Sequence, residues 1–106
     1  MAVHAEISIM PIAKSGDTSM SKEVAAAFEA IRRTAGLSNV TLTALGTQVE
    51  AESVDSVLKA VQAAHDAAKS AGARRVISTV RIDERLDKSQ SLHDKVESVQ
   101  QKLKDK

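Results

Sequence analysis

The order of elements along this 106-residue chain predicts an α+β fold, a ferredoxin-like βαββαβ sandwich with an additional C-terminal helix and a four-stranded antiparallel sheet. Four segments alternate apolar and polar residues with the period of two that is typical of strands, and two segments between them have apolar residues at helical spacing. A further helical segment follows the last strand, and no linker interrupts the pattern, so we expect one domain over residues 1–106. Both helices of the repeat would cover one face of the sheet and leave the other face for solvent, a ligand or another subunit.

The first half of the chain is predicted to hold a strand, a helix and two short strands. The segment AVHAEISIMPI, residues 2–12, alternates and ends as a strand at Pro11. A helix is expected from about Met20 to Ala35, with Gly36 as its C-terminal cap and a buried stripe of Val24, Phe28, Ile31 and Ala35. The segments NVTLTAL and GTQVEAE alternate on either side of Gly46, which favours two strands with a tight connection over one bent strand.

The second half is predicted to hold a helix, a strand and the C-terminal helix. Ser53 opens the second helix and Gly72 ends it, and the buried stripe is Val54, Val57, Leu58, Val61 and Ala68. The segment RRVISTVRID, residues 74–83, alternates as the fourth strand. In SLHDKVESVQQKL a capping box of Ser91 and Asp94 precedes the apolar stripe Leu92, Val96, Val99 and Leu103.

Composition excludes several function classes. A net charge of +1 and a single aromatic residue, Phe28, give no reason to expect nucleic acid, because such partners call for clustered positive charge or stacking rings. The chain has no cysteine, no signal segment and no apolar run near 18 residues, so we expect a cytoplasmic protein with no membrane partner.

No catalytic or metal-binding constellation is apparent. The three histidines, at positions 4, 65 and 93, lack the close spacing of metal ligands, and no nucleophile has an evident base, so we expect neither an enzyme nor a cofactor. His65 falls on a helix stripe and is interpreted as a neutral histidine hydrogen-bonded under the sheet. The segment KSGDTS, residues 14–19, lacks a phosphate-loop pattern and is predicted to be a turn.

The helix-free face of the sheet is the predicted functional surface. Its polar residues would be either groups that converge on a small ligand or a hydrated sheet with cross-strand ion pairs, such as Glu6 or Glu50 with Arg81, and the residues alone favour the hydrated sheet. The residues assigned to this face are Glu6, Ser8, Thr41, Thr43, Gln48, Glu50, Thr79 and Arg81, with His4, Met10, Leu45 and Ile77 among them.

Four segments of the chain resemble the family of small thiamine-binding proteins. They are ISIMPI, LTALGTQVEAE, AHDAAKSAGARRVISTVRIDER and SLHDKVESV. The resemblance implies a ferredoxin-like fold, binding of thiamine or its hydroxymethylpyrimidine moiety without known catalysis, and a homo-oligomer, dimer or tetramer, formed through the sheet. The family usually continues Glu50 with a glycine, whereas Ala51 and Glu52 follow here.

The candidate ligand-binding residues are Ser8, Thr43, Thr47, Glu50 and Arg81. Glu50 is predicted to be the principal acceptor for the amine of an aminopyrimidine, with hydroxyls completing the ring edge and either the ligand or Arg81 satisfying the carboxylate. Without Trp or Tyr the ring would pack between Met10, Leu45 and Ile77. The alternative function is a regulatory amino-acid-binding module or an oligomeric interaction module of the same fold.

Overall fold

The computed structural model describes residues 2–12 and 19–105. The predicted turn at residues 14–18 lies outside them. The elements are β1 (Val3–Ile12), α1 (Ser21–Arg32), β2 (Leu37–Leu42), β3 (Thr47–Ala51), α2 (Val54–Ser70), β4 (Arg75–Glu84) and α3 (Leu92–Lys104). The strands form an antiparallel sheet in the order β2-β3-β1-β4, which confirms the predicted fold class.

β1 is the central strand, and its two neighbours cover different lengths of it. β4 pairs with β1 from Val3–Glu84 to Ile12–Arg75, whereas the pairing with β3 ends at Ile7–Thr47. Residues 8–12 of β1 therefore continue past the end of β3. This unequal pairing leaves a notch in the sheet beside β1.

The helices α1 and α2 pack on one face of the sheet and form the core with it. Alanines form much of the buried side of α2, since Ala60 and Ala64 are fully buried together with Val57. Small side chains let a helix approach its neighbours closely without leaving voids. The core residues are Val3, Ala5, Ile7, Ala27, Ile31, Val49, Ala51, Val57, Ala60 and Ala64.

Two details of the predicted helices are wrong. α1 ends at Arg32, and Ala35 is exposed rather than buried, because the chain reverses before β2 through Gly36 with φ of 84°. Leu58 of α2 is 52% exposed, since α2 faces the sheet with its alanines instead. The remaining boundaries agree within a few residues, and Ser53 caps α2 as predicted by accepting a hydrogen bond from the Ser56 amide.

α3 lies against the sheet face opposite α1 and α2, and only its first turns contact the sheet. The predicted capping box is confirmed, with Ser91 accepting from the Asp94 amide and Asp94 from the Ser91 amide. No residue of α3 is buried, and the apolar side chains of Val96, Val99 and Leu103 are more than half exposed. Among the described residues, no helix combines the length and apolarity needed to cross a membrane.

Candidate functional site

A small cavity of about 180 Å³ lies in the notch beside β1, roofed by α1 and closed by the turn between β2 and β3. We call it the α1 cavity. Its walls are mostly apolar, and they include Phe28, the one aromatic residue of the chain. The lining residues on which the argument depends are Ser8, Met10, Met20, Phe28, Thr43 and Thr47.

The turn between β2 and β3 forms this cavity because it approaches β1 closely. Thr43 and Gly46 close the turn, with the Thr43 amide and hydroxyl both donating to the Gly46 carbonyl at 2.8 and 2.7 Å. A Cβ atom on Gly46 would lie 2.9 Å from the carbonyl oxygen of Ile7, so that carbonyl points toward the turn. Since backbone groups alternate in direction along a strand, Ile9 directs its N–H and C=O to the same side, beyond the end of β3.

Three of the five predicted ligand residues meet in the α1 cavity. Ser8 and Thr47 come from neighbouring strands, and Thr43 from the turn. The Thr43 hydroxyl is engaged by Gly46, whereas the hydroxyls of Ser8 and Thr47 make no hydrogen bond to another described residue. Thr47 is 5% exposed and faces the helix layer. Ser8 follows the core residue Ile7 along β1 and so directs its side chain to the opposite face of the sheet. Thr47 is therefore the hydroxyl that the helix side of the cavity offers within mostly apolar walls.

Glu50 lies at the other end of the sheet and does not join them. It pairs with His4 in the register, four residues from Ser8, a separation of about 13 Å along a strand. Glu50 and the hydroxyls that were expected to complete the ring edge therefore lie apart, because the register separates the two ends of β1.

The partners of the Glu50 carboxylate also differ from the expected ones. Glu50 is 3% exposed, and it accepts hydrogen bonds from the Leu92 amide at 3.2 Å and from the Asn39 side-chain amide at 2.5 Å. Arg81 does not supply its charge partner; the nearest carboxylate oxygen to the guanidinium belongs to Glu6, at 3.9 Å. A negative carboxylate at the first amide of a helix is favourable because it complements the helix dipole. Glu50 thus anchors the start of α3 to the sheet.

A larger cavity of about 720 Å³ separates α3 from the open face of the sheet, and Arg81 lines it. We call it the α3 cleft. The floor carries His4, Glu6, Gln48, Arg81 and Asp83, and α3 adds Leu92, Lys95 and Val96. The sequence pattern predicted the capping box of α3 and the polar residues of the strands. It did not predict that α3 covers this end of the sheet face.

Charges within the α3 cleft are paired across elements. Lys95 contacts Asp83 at 2.5 Å, and this hydrogen bond lowers the pKa of the Asp83 carboxyl. The Gln48 side-chain amide donates to Glu6 at 3.1 Å. The Glu6–Arg81 contact confirms one of the cross-strand ion pairs expected for a hydrated sheet.

The other titratable candidates have local roles. His65 is hydrogen-bonded under the sheet, as predicted, through Nδ1 and the Ser78 hydroxyl at 2.6 Å. Arg85 holds Asp87 with two hydrogen bonds, which lower the pKa of the Asp87 carboxyl. Within residues 2–12 and 19–105, no group of three or more His, Cys, Asp or Glu side chains is placed to hold a metal ion.

The strand order, the helix layer on one face and the cavity beside the central strand define a ferredoxin-like α+β protein with an enclosed pocket at the sheet edge. Comparison with known proteins gives the family. The chain belongs to the thiamine-binding protein family, whose model matches residues 5–100. This confirms the resemblance found in the sequence.

Individual relatives agree with this membership. A UPF0045 protein of Methanothermobacter thermautotrophicus is 42% identical over 103 residues, covering 95% of this chain and 99% of the relative. The structure of a hypothetical protein of Methanocaldococcus jannaschii superposes with a TM-score of 0.81 at 36% identity, covering 94% of this chain and 98% of that one. A Thermotoga maritima structure, named provisionally for thiamine biosynthesis or salvage, shares the fold with a TM-score of 0.72 at 20% identity, covering 92% and 97% of the two chains.

Proposed function

We propose that this protein binds thiamine, or its hydroxymethylpyrimidine moiety, in the α1 cavity without catalysing a reaction on it. Membership of the thiamine-binding family supports the ligand class. The observation that carries the location is the Thr47 hydroxyl, which faces the helix layer, has no bond to another described residue and lines an otherwise largely apolar cavity. A small number of polar groups in an apolar pocket is the usual arrangement for orienting a small molecule.

The size and walls of the α1 cavity suit one aromatic ring. The cavity volume of about 180 Å³ is about the volume that six water molecules occupy in liquid water. Phe28 offers a ring for stacking, and Met20 at the start of α1 offers a polarisable sulfur atom. The Thr47 hydroxyl both donates and accepts, so it matches either the ring nitrogen or the amine of an aminopyrimidine edge. The thiazolium part would then lie at the mouth of the cavity.

The predicted role of Glu50 as acceptor for the ligand amine stays a separate prediction. The hydrogen bonds from the Leu92 amide and from the Asn39 side chain both end on Oε2 of a residue that is 3% exposed. A ligand amine would therefore have to reach a buried carboxylate beneath the start of α3. The α1 cavity does not require such an opening.

Equilibrium dialysis against thiamine tests the proposal, since the protein has no Trp or Tyr and ligand absorbance is easily followed. Thr47→Val removes the cavity hydroxyl and should weaken binding by roughly 1–2 kcal/mol, about tenfold or more in Kd. Thr79→Val is the matched control, because Thr79 pairs with Ser8 but lies exposed and does not line the cavity.

Two results would contradict the proposal. The first is that wild-type protein retains neither thiamine nor hydroxymethylpyrimidine at millimolar ligand. The second is that Thr79→Val weakens binding as much as Thr47→Val, which would move the ligand away from the α1 cavity.

The proposal includes a cytoplasmic homo-oligomer, dimer or tetramer, that has no nucleic-acid partner. Exposed apolar side chains on the sheet side, Met10 and Ile77, support association through the sheet. The absence of cysteine supports a reducing compartment. Phe28, the only aromatic residue, lines the α1 cavity rather than the open face, so no ring is placed there for stacking bases.

A further inference from the structure

We propose that the α3 cleft is a second binding site, and that it takes the zwitterion of a polar α-amino acid whose side chain carries an N–H donor. Its volume of about 720 Å³ lies in the range of small-molecule sites. The cleft is on the opposite sheet face from the α1 cavity, so this site goes beyond the proposed thiamine site and does not depend on it.

Glu6 and Arg81 supply the pair of opposite charges that a zwitterion needs. They face each other in the register of β1 and β4, and their closest charged atoms are 3.9 Å apart. At that separation the pair is loose, and the Arg81 side chain is 83% exposed, so its guanidinium retains donors for a carboxylate. An α-amino acid carries its ammonium and its carboxylate on one carbon, and the two groups fit Glu6 and Arg81 respectively.

His4 supplies the third contact. It is 3% exposed, and its Nε2 lies 2.5 Å from the carbonyl oxygen of Gln90. Because a carbonyl only accepts, Nε2 carries a proton, and in the tautomer with a single ring proton Nδ1 is the acceptor. Nδ1 is buried and has no hydrogen-bond partner among the described residues. His4 lines the α3 cleft, so a small rotation of its ring would let a ligand N–H reach Nδ1. Because a buried acceptor without a donor is costly, that contact would be favourable.

The spacing of these groups selects the length of the ligand side chain. His4 and Glu6 are two residues apart on the same face of β1, about 7 Å along the strand. An extended glutamine side chain reaches about 5 Å from the α-carbon to its amide nitrogen, and a hydrogen bond of about 3 Å at its end bridges the rest of the distance. Leu92 and Val96 of α3 cover the cleft from above and would pack on the methylene groups.

Dialysis or calorimetry with L-glutamine as the probe tests this site. Wild-type protein should bind L-glutamine saturably, and Arg81→Gln should weaken binding about tenfold or more because a charge-assisted contact to the α-carboxylate is lost. Arg75→Gln is the matched control: Arg75 lies on the same strand and the same face, six residues away and outside the cleft, and should leave binding unchanged. Equal losses of affinity in the two variants would overturn the proposal. So would the absence of saturable binding at about 10 mM L-glutamine, a concentration above a millimolar Kd.

A ligand series tests the role of His4 without changing the protein. L-norvaline keeps both α-groups but has no side-chain donor, and it should bind about tenfold more weakly than L-glutamine. Equal affinity for the two would overturn the assignment of His4 as acceptor. Thiamine binding is measured on the same preparation as a control. If L-glutamine does not bind but thiamine does, the α1 cavity is intact and the failure belongs to the α3 cleft alone.

Discussion

Glu50 combines two roles that the strand pattern by itself does not reveal. Its carboxylate accepts the first amide of α3, at Leu92, and it also holds the side chain of Asn39, whose φ of 50° is unusual for a residue with a side chain. One buried charge therefore stabilises both a helix start and an irregular point in β2.

Replacement of Glu50 by glutamine should lower the free energy of unfolding by roughly 1 kcal/mol, because the negative charge at the start of α3 is lost while the glutamine oxygen can still accept from Leu92 and Asn39. Urea unfolding measures this change. Glu52→Gln is the control, since Glu52 is exposed and should be nearly neutral. Equal stability of the two variants would show that the carboxylate does not anchor α3, and a loss of thiamine affinity without a loss of stability would restore Glu50 as the ligand acceptor.

A glycine is required at position 46 because a side chain would clash there, and not because of the φ angle. A Cβ atom there would lie 2.9 Å from the backbone oxygen of Ile7, and neither backbone segment can yield easily. Gly46→Ala should cost roughly 1–3 kcal/mol of stability and should also weaken thiamine binding, since the displaced turn lines the α1 cavity. Ala44→Gly, an exposed change in the same turn, is the control in thermal unfolding. Unchanged stability of Gly46→Ala would contradict the close approach.

At the scale of elements, α3 differs from the other helices in how it is held. Polar contacts join it to the sheet: Glu50 to Leu92, His4 to Gln90 just before the helix, and Asp83 to Lys95. Its apolar stripe contributes little, because Val96, Val99 and Leu103 are more than half exposed. Stability of this kind depends on charge and therefore on pH.

Acid should release α3 before the sheet unfolds. The hydrogen bond from Lys95 lowers the pKa of Asp83, and the Ser91 amide lowers the pKa of Asp94 in the capping box. For carboxyls with a depressed folded-state pKa, the stabilisation is present above the unfolded value of about 4 and is lost as pH falls through the folded pKa. Amide hydrogen exchange from pH 7 downward should show α3 losing protection below about pH 4, earlier than β1.

A variant combining Asp83→Asn and Asp94→Asn is the control for this effect. It should show a loosened α3 already at pH 7 and a weaker dependence on acid. If α3 and β1 lost protection together in the wild type, after correction for intrinsic exchange, the acid sensitivity would belong to the whole fold and not to the attachment of α3.

The whole molecule is elongated, 50 Å by 32 Å by 17 Å, and its apolar surface is concentrated outside the helix layer. Met10 and Ile77 lie next to each other in the register of β1 and β4 and are 48% and 40% exposed. A chain of this size gains stability when a partner covers such a surface.

Sedimentation equilibrium at micromolar concentration should therefore find a dimer or a tetramer. Ile77→Glu places a charge on the sheet face and should shift the population toward smaller species, because the charge would be buried without a partner. Leu58→Glu is the control, since Leu58 is 52% exposed on α2, on the other side of the sheet. A monomeric wild type, or dissociation caused by Leu58→Glu alone, would contradict association through the sheet face.

Local patterns in the sequence determined the elements and their order. Alternation placed the four strands, apolar spacing placed the three helices, and capping residues such as Ser53 and Ser91 marked two helix starts. These features depend on neighbours within one turn or one strand, so the sequence contains them directly. The end of α1 was harder to predict from the sequence, because the turn to β2 depends on contact between Gly36 and α2.

The site was decided by tertiary structure. Ser8, Thr43 and Thr47 line one notch because β3 ends at Thr47 while β1 continues, and strand register is a property of pairing rather than of either segment. Glu50 and Arg81 alternate correctly onto the polar face, yet the register places Glu50 far from Ser8, and α3 folds back to engage it. The sequence by itself determined which residues are polar and on which face most of them lie; the pairing of distant segments decided which of them meet.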